Sequence, residues 1–179
     1  MVTPKIIQIV GFQNSGKTSF LNTTIHELAN DGYKIATIKH HGHGGKPSVV
    51  EDKDSSLHLK AGAVASLVEG EGRLLLQAED VRWSLEEKIQ FLSSFQLDFI
   101  FIEGHKHENY EKVVLLRNKE DVESLAALTN VKAIYYWNEL NIRSFQRMEA
   151  AIPCFQINDA KGRTYFTEFL LSQRQTKEI

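Results

Sequence analysis

The chain is poor in cysteine and proline and has no long apolar run, and each shortage closes off a class of protein. A single cysteine, Cys154, among 179 residues leaves no internal disulfide framework. Three prolines and eleven glycines are too few for a collagenous or low-complexity chain. No basic start followed by an apolar stretch marks a signal peptide or a membrane span, so a reducing cytoplasm is the expected home and no membrane partner is expected. Charge of one sign is also missing. Lys and Arg number 21 against 23 Asp and Glu, a formal net charge of -2, with no long block of either sign. Such a field offers nucleic acid no broad attraction, so any anion must be held by a local device.

What is present is the composition of a globular protein, 42% hydrophobic and 25% charged, at a length that suits one domain spanning 1–179. Residues 5–10 hold Ile6, Ile7, Ile9 and Val10, an almost unbroken β-branched run of the kind found in a strand covered on both faces. From 17 to 30, Phe20, Leu21, Ile25, Leu28 and Ala29 recur at helical spacing, and Asn30-Asp31-Gly32 supplies a stop. Further strands are expected at 34–39, 64–68, 74–77, 98–102, 113–116, 133–137 and 154–157. Helices are expected at about 57–61, 84–95, 139–150 and 159–171. Between 64 and 77 the linker Glu69-Gly70-Glu71-Gly72-Arg73 reads as the turn of an antiparallel hairpin, so a mixed sheet is expected. The tail from Gln173 reads as solvated and frayed.

Between the first strand and the first helix stands Gly11-Phe12-Gln13-Asn14-Ser15-Gly16-Lys17-Thr18. The spacing Gly-x4-Gly-Lys-Thr, with those flanks, is that of a phosphate-binding loop. Two glycines let the backbone wrap closely enough for its N–H groups, including those of Asn14, Ser15 and Ser19 at the helix start, to surround a phosphate. Lys17 brings a point charge to the β- and γ-phosphate oxygens, and the Thr18 hydroxyl is suited to Mg²⁺. The fold class that follows is α/β, a P-loop NTPase with a mostly parallel sheet flanked by helices and a β-hairpin extension.

Three other stretches carry candidate chemistry. Asp98-Phe99-Ile100-Phe101-Ile102-Glu103-Gly104 is an apolar strand ending in an acid. Ligands gather at the carboxyl ends of parallel strands, so the loop favours a metal role for Glu103 over that of a solvated strand-end acid. Asp98 stands before the strand and is expected to cap or pair locally. Ile38-Lys39-His40-His41-Gly42-His43 places a cation and three histidines at another strand end. Lys39 is a candidate contact to a triphosphate or a second anionic substrate; the histidines suit a metal or an ordinary mobile loop equally, and no fourth ligand has zinc spacing. Before a short helix, Asp54 or Ser55 is a natural N-cap, while Asp54 alternatively faces magnesium and orients the attacking water or hydroxyl.

In this order GFQNSGKT (11–18), TIKHHGHG (37–44), DKDSSLHLKAGA (52–63) and DFIFIEGHK (98–106) resemble the molybdopterin-guanine dinucleotide biosynthesis protein B (MobB) family. The resemblance runs from residue 5 to about 107, with a weaker echo over 153–159. It implies a GTP-binding protein that assists a separate nucleotidyltransferase in attaching GMP to molybdopterin, with weak Mg²⁺-dependent GTP hydrolysis. It also carries phosphate and metal roles to Gly11, Gly16, Lys17 and Thr18, and lesser ones to Lys39, Asp54, His58 and Glu103. Lys17, Asp54 and Glu103 are then the catalytic candidates, molybdopterin is a further candidate ligand, and a homodimer formed partly through the hairpin is expected. One feature departs from the pattern: His105 stands where the family commonly has an aromatic residue. Asn158 and Asp159 are candidates for the base edge, although Asp159 suits a helix cap as well. A small-molecule kinase or ligase, and a metallochaperone GTPase using His40, His41 and His43, are the rival readings.

Overall fold

A computed structural model describes residues 3–40, 54–79, 82–125, 127–137 and 152–172. His41, His43 and the expected helix at 139–150 lie outside them, as does the tail from Gln173. The chain divides into two compact units, Met1–His40 with Gln90–Ile179, and His41–Ile89.

The larger unit is built on a six-stranded sheet. In chain order its strands are β1 (Lys5–Val10), β2 (Ile35–Lys39), β5 (Phe99–Glu103), β6 (Lys112–Leu116), β7 (Val131–Tyr136) and β8 (Cys154–Gln156). They lie side by side as β2-β5-β1-β6-β7-β8, and every pairing is parallel. The helices are α1 (Lys17–Asn30), α4 (Lys119–Leu125) and α5 (Ala160–Ser172).

Alternation of side chains along each strand sorts the core into two layers. Ile7 and Ile9, Phe99 and Phe101, Val113 and Leu115, and Ala133 and Tyr135 face Leu21 and Leu28 of α1 and Phe166 and Leu170 of α5. Val10, Val114, Leu116 and Ile134 take the opposite face with Val122 and Leu125 of α4. Each bulky apolar side chain buried in this way contributes about 1.5–3 kcal/mol. Helices on both faces leave the central strands no wet side, which is why β1 and β5 read as unbroken apolar runs.

Lys112 and Gln8 are among the polar residues buried in this unit. Lys112 is 1% exposed, and its ammonium donates to the carbonyls of Glu108 (2.8 Å), Tyr110 (3.0 Å) and Thr129 (3.0 Å). Those bonds offset the cost of desolvating a cation, while burial itself pushes the Lys112 pKa down, against the pull of Glu108. Gln8, fully buried, donates from Nε2 to the carbonyls of Gly104 (3.3 Å) and His105 (2.7 Å).

In the smaller unit, β3 (Ala65–Gly70) and β4 (Arg73–Ala78) pair antiparallel, with Leu67 opposite Leu76 and Val68 opposite Leu75. Glu71 and Gly72 turn the chain with positive φ. The hairpin stands as expected, but it forms its own two-stranded sheet, so the expected mixed sheet is corrected to a parallel sheet and a separate ribbon. Its α2 (Asp54–Lys60) begins three residues before the expected helix, because Asp54, Ser55 and Ser56 continue into the first turn. The chain leaves this unit within α3 (Leu85–Ser93). Reciprocal bonds start α3, from Glu87 N to Ser84 Oγ (3.1 Å) and from Ser84 N to Glu87 Oε2 (2.7 Å).

Candidate functional site

The sheet order places β1 where the chain changes direction. From β1 the chain goes to one edge through β2 and β5, then crosses to build β6, β7 and β8 on the other side. Ligands of open parallel sheets bind at such a switch point, outside the carboxyl ends of the strands. There the register sets Ile9 beside Glu103, and Glu103 beside Lys39.

Residues 11–16 connect β1 to α1 at that edge. A Cβ on Gly11 would lie 2.5 Å from Ser15 Oγ and 2.6 Å from the Leu115 carbonyl oxygen, so only glycine fits the floor of the loop. Gly16 has φ of 92°, in the left-handed region, and a Cβ there would lie 2.7 Å from Cζ2 of Trp137. As the residue that starts α1, Gly16 has no side chain to cap it, and the first turn holds no acid. The N–H groups of that turn therefore face the loop with the positive end of the helix dipole behind them. Ser15 Oγ is buried without a hydrogen-bond partner among the described residues, which leaves unused donor capacity in the loop.

The side chains that close the loop come from the first turn of α1 and from the ends of β5 and β2. Lys17 donates from Nζ to the Phe12 carbonyl at 2.7 Å. Burial lowers its pKa and Lys39 lowers it further, while Glu103 and Asp121 pull it back up. Thr18 Oγ1 lies 3.2 Å from both carboxylate oxygens of Glu103 and donates to that group. Lys39 Nζ sits 3.4 Å from Glu103 Oε1 and 3.5 Å from Thr18 Oγ1. A hydroxyl and a largely buried carboxylate, both hard oxygen donors, thus share one point, with a cation drawn to it.

That donor set fits magnesium, which takes one or two carboxylates, with phosphate oxygens and water completing the shell. No cluster of three or more His, Cys, Asp or Glu side chains occurs among the described residues, so nothing there resembles a zinc or nickel cage. His40 at the end of β2 packs against His105, ring centroids 4.7 Å apart. Asp54 and His58 lie on α2 in the smaller unit, both exposed, Asp54 in its first turn. Asp98 accepts the Lys34 backbone N–H at 2.8 Å, a bond between the starts of two neighbouring strands 64 positions apart and not the expected local pairing. Asp159 Oδ1 accepts the backbone N–H of Lys161 at 2.9 Å and so caps α5.

Two contacts to the loop were not foreseen. Arg117 donates from Nη1 to the Asn14 carbonyl at 3.2 Å, and Trp137 donates from Nε1 to the Ser15 carbonyl at 2.8 Å. Each residue follows directly on a strand, β6 or β7, so the carboxyl-end rule was a usable signal for both. Beside Trp137 a cleft of about 140 Å³ is lined by Ser19, Phe20 and Thr23 of α1 and by Asn158, Arg163 and Thr167.

A glycine-bounded loop at the end of a central parallel strand, with a lysine folded over it and a threonine–carboxylate pair at its side, defines a P-loop NTPase fold. Residues 6–137 match the model of the family described as Molybdopterin guanine dinucleotide synthesis protein B, MobB, and the chain belongs to that family. A probable molybdopterin-guanine dinucleotide biosynthesis adapter protein of Bacillus subtilis is 38% identical over 169 residues, covering 94% of this chain and 92% of the relative. The crystal structure of Bacillus subtilis MobB superposes with a TM-score of 0.78 at 35% identity, over 95% of this chain and 99% of that one. A MobB homolog from Bacillus stearothermophilus gives 0.74 at 28% identity, over 94% and 99%.

Proposed function

We propose that this chain is a cytoplasmic GTP-binding adapter that assists a separate nucleotidyltransferase in joining GMP to molybdopterin, with weak hydrolysis of its own nucleotide. Family membership supports the pathway. The observation that carries the chemistry is the meeting of Thr18, Glu103 and Lys39 beside the Gly11–Thr18 loop. In this reading the loop N–H groups and Lys17 hold the triphosphate, and Gly11, Asn14, Ser15, Gly16 and Ser19 shape that cradle. Thr18 and Glu103 hold Mg²⁺, whose chemistry when bound is to neutralise charge on the phosphates. Lys39 is then released from Glu103 to meet a phosphate oxygen. Asp54 is assigned the second carboxylate that orients water, and Asp159 keeps one carboxylate oxygen for a base edge.

Slow turnover fits this reading, since unassisted P-loop GTPases turn over as slowly as about 10⁻⁴ per second. A second copy of this chain covers the hairpin, where Val64, Leu67, Val68, Leu74, Leu75 and Leu76 are 40–68% exposed. Molybdopterin binds to the adapter or to its partner.

The test is reconstitution. Adding the wild-type chain to molybdopterin, GTP, Mg²⁺ and the transferase should raise the yield of dinucleotide, and Lys17→Ala should not. Equal stimulation by both would contradict the reading, as would a preference for ATP in direct titration.

A further inference from the structure

Trp137 touches both the phosphate loop and the adjoining cleft. It follows β7, 122 positions from the residue it holds, and its indole N–H donates to the Ser15 carbonyl at 2.8 Å. The same edge of the ring lies against Gly16, where an added Cβ would be 2.7 Å from Cζ2 and 3.4 Å from Nε1. Its own main chain is fixed from two sides. Its N–H donates to the Leu116 carbonyl at 3.2 Å, and its carbonyl accepts from Gln156 Nε2 at 3.4 Å. Yet 38% of the residue remains exposed, and it forms part of the wall of the cleft that begins at Gly16 and Ser19.

An indole anchored at one edge and open elsewhere is a poor use of a large apolar surface unless something flat covers it. The cleft starts at the first turn of α1, where a chain of phosphates held by the loop would lead away toward a nucleoside. Polar groups from Asn158, Arg163 and Thr23 line the same space, the mixture of one aromatic plane and a few convergent polar groups that a heterocyclic base requires.

We infer that Trp137 is a nucleotide-binding residue with two separable jobs: its N–H sets the Ser15–Gly16 segment of the phosphate loop, and its ring stacks on the base of the bound nucleotide. The inference rests on the nucleotide-binding reading above and adds an aromatic contact on the base side of the bound nucleotide. The two jobs separate because phenylalanine keeps an aromatic plane but has no N–H, while alanine has neither.

The experiment titrates the full chain with GTP and with inorganic tripolyphosphate, each with Mg²⁺, for wild type, Trp137→Phe and Trp137→Ala. Tripolyphosphate affinity should fall by the same modest factor in both variants, about threefold to fivefold for one hydrogen bond. GTP affinity should fall by only that factor in Trp137→Phe and by a further factor of about ten or more in Trp137→Ala. In an otherwise native chain carrying Trp83→Phe, GTP should quench the remaining indole emission and tripolyphosphate should not, a readout independent of whether Trp137→Ala folds. Equal losses for both ligands in Trp137→Ala, or quenching by tripolyphosphate as strong as by GTP, would reduce the indole to a structural part and overturn the inference alone. A wild-type chain that binds neither ligand would overturn the nucleotide reading with it.

Discussion

Strand β5 and the β3–β4 hairpin are both rich in consecutive bulky apolar residues, and they meet opposite fates. All five residues of Phe99–Glu103 are buried, whereas Leu67, Val68, Leu74, Leu75 and Leu76 are 40–63% exposed. Composition does not separate them; position does. β5 lies between β2 and β1 in a sheet with helices on both faces, so the chain covers it with its own residues. The hairpin is a two-stranded sheet, and among its apolar residues each face keeps bulky groups in the open. The self-covered unit carries the rigid strand ends from which Glu103, Lys39 and the loop are presented. The uncovered one leaves an apolar surface open.

The largest expected effect breaks the covered side. Phe101→Ala removes a fully buried ring from the face packed under α1 and α5, and urea unfolding should show a loss of about 3–5 kcal/mol. Next comes the site that β5 and β1 present. Lys17→Ala should weaken GTP binding on the order of 100-fold by removing a charge-assisted contact, measured by calorimetry, with little change in unfolding midpoint.

A smaller, graded effect comes from pH. Burial holds the folded pKa of Lys17 below the ordinary 10.5. Between the two values the unfolded chain binds more protons, so this group makes stability rise with pH through that window; below the folded pKa the desolvation cost is fully present. Triphosphate needs the ammonium form. GTP affinity should therefore begin to fall with rising pH before an ordinary lysine would titrate, with proton uptake on binding in that range. Titration in two buffers of different ionisation enthalpy measures it.

The smallest effect on stability belongs to the hairpin. Leu75→Ala, at a position 63% exposed, should change unfolding of the dilute chain by no more than about 0.5 kcal/mol. Leu75→Asp should nevertheless shift sedimentation toward a single copy. A hairpin variant as damaging to folding as Phe101→Ala, with no change in association, would erase the contrast between the two regions.

Local signals were legible in the sequence, and long-range ones were not. The bounds of β1 and α1 follow from an apolar run, two glycines and a helical period, and the hairpin follows from Glu69-Gly70-Glu71-Gly72-Arg73. Helix α4 escaped because Lys119–Leu125 is too short for periodicity. Its start signal is the box in which Asn118 Oδ1 accepts the Asp121 N–H at 2.9 Å and Asp121 accepts back from Asn118 N at 3.3 Å. Lys112 falls just outside the strand expected at 113–116; two of its carbonyl partners, Glu108 and Tyr110, precede it within four residues, and Thr129 is brought to it by the fold. The Trp137–Ser15 and Arg117–Asn14 bonds span more than a hundred residues each. Only the order of strands makes them neighbours.

The most direct test of the central claim, that Thr18 and Glu103 complete a magnesium–triphosphate site on the Gly11–Thr18 loop, is titration of the wild-type chain and Glu103→Gln with GTP, with Mg²⁺ and with a chelator in its place. Wild type should bind markedly tighter with Mg²⁺, and Glu103→Gln should lose most of that difference while still binding in chelator. Wild-type affinity that ignores Mg²⁺, or a Glu103→Gln chain that keeps the full magnesium effect, would contradict the account.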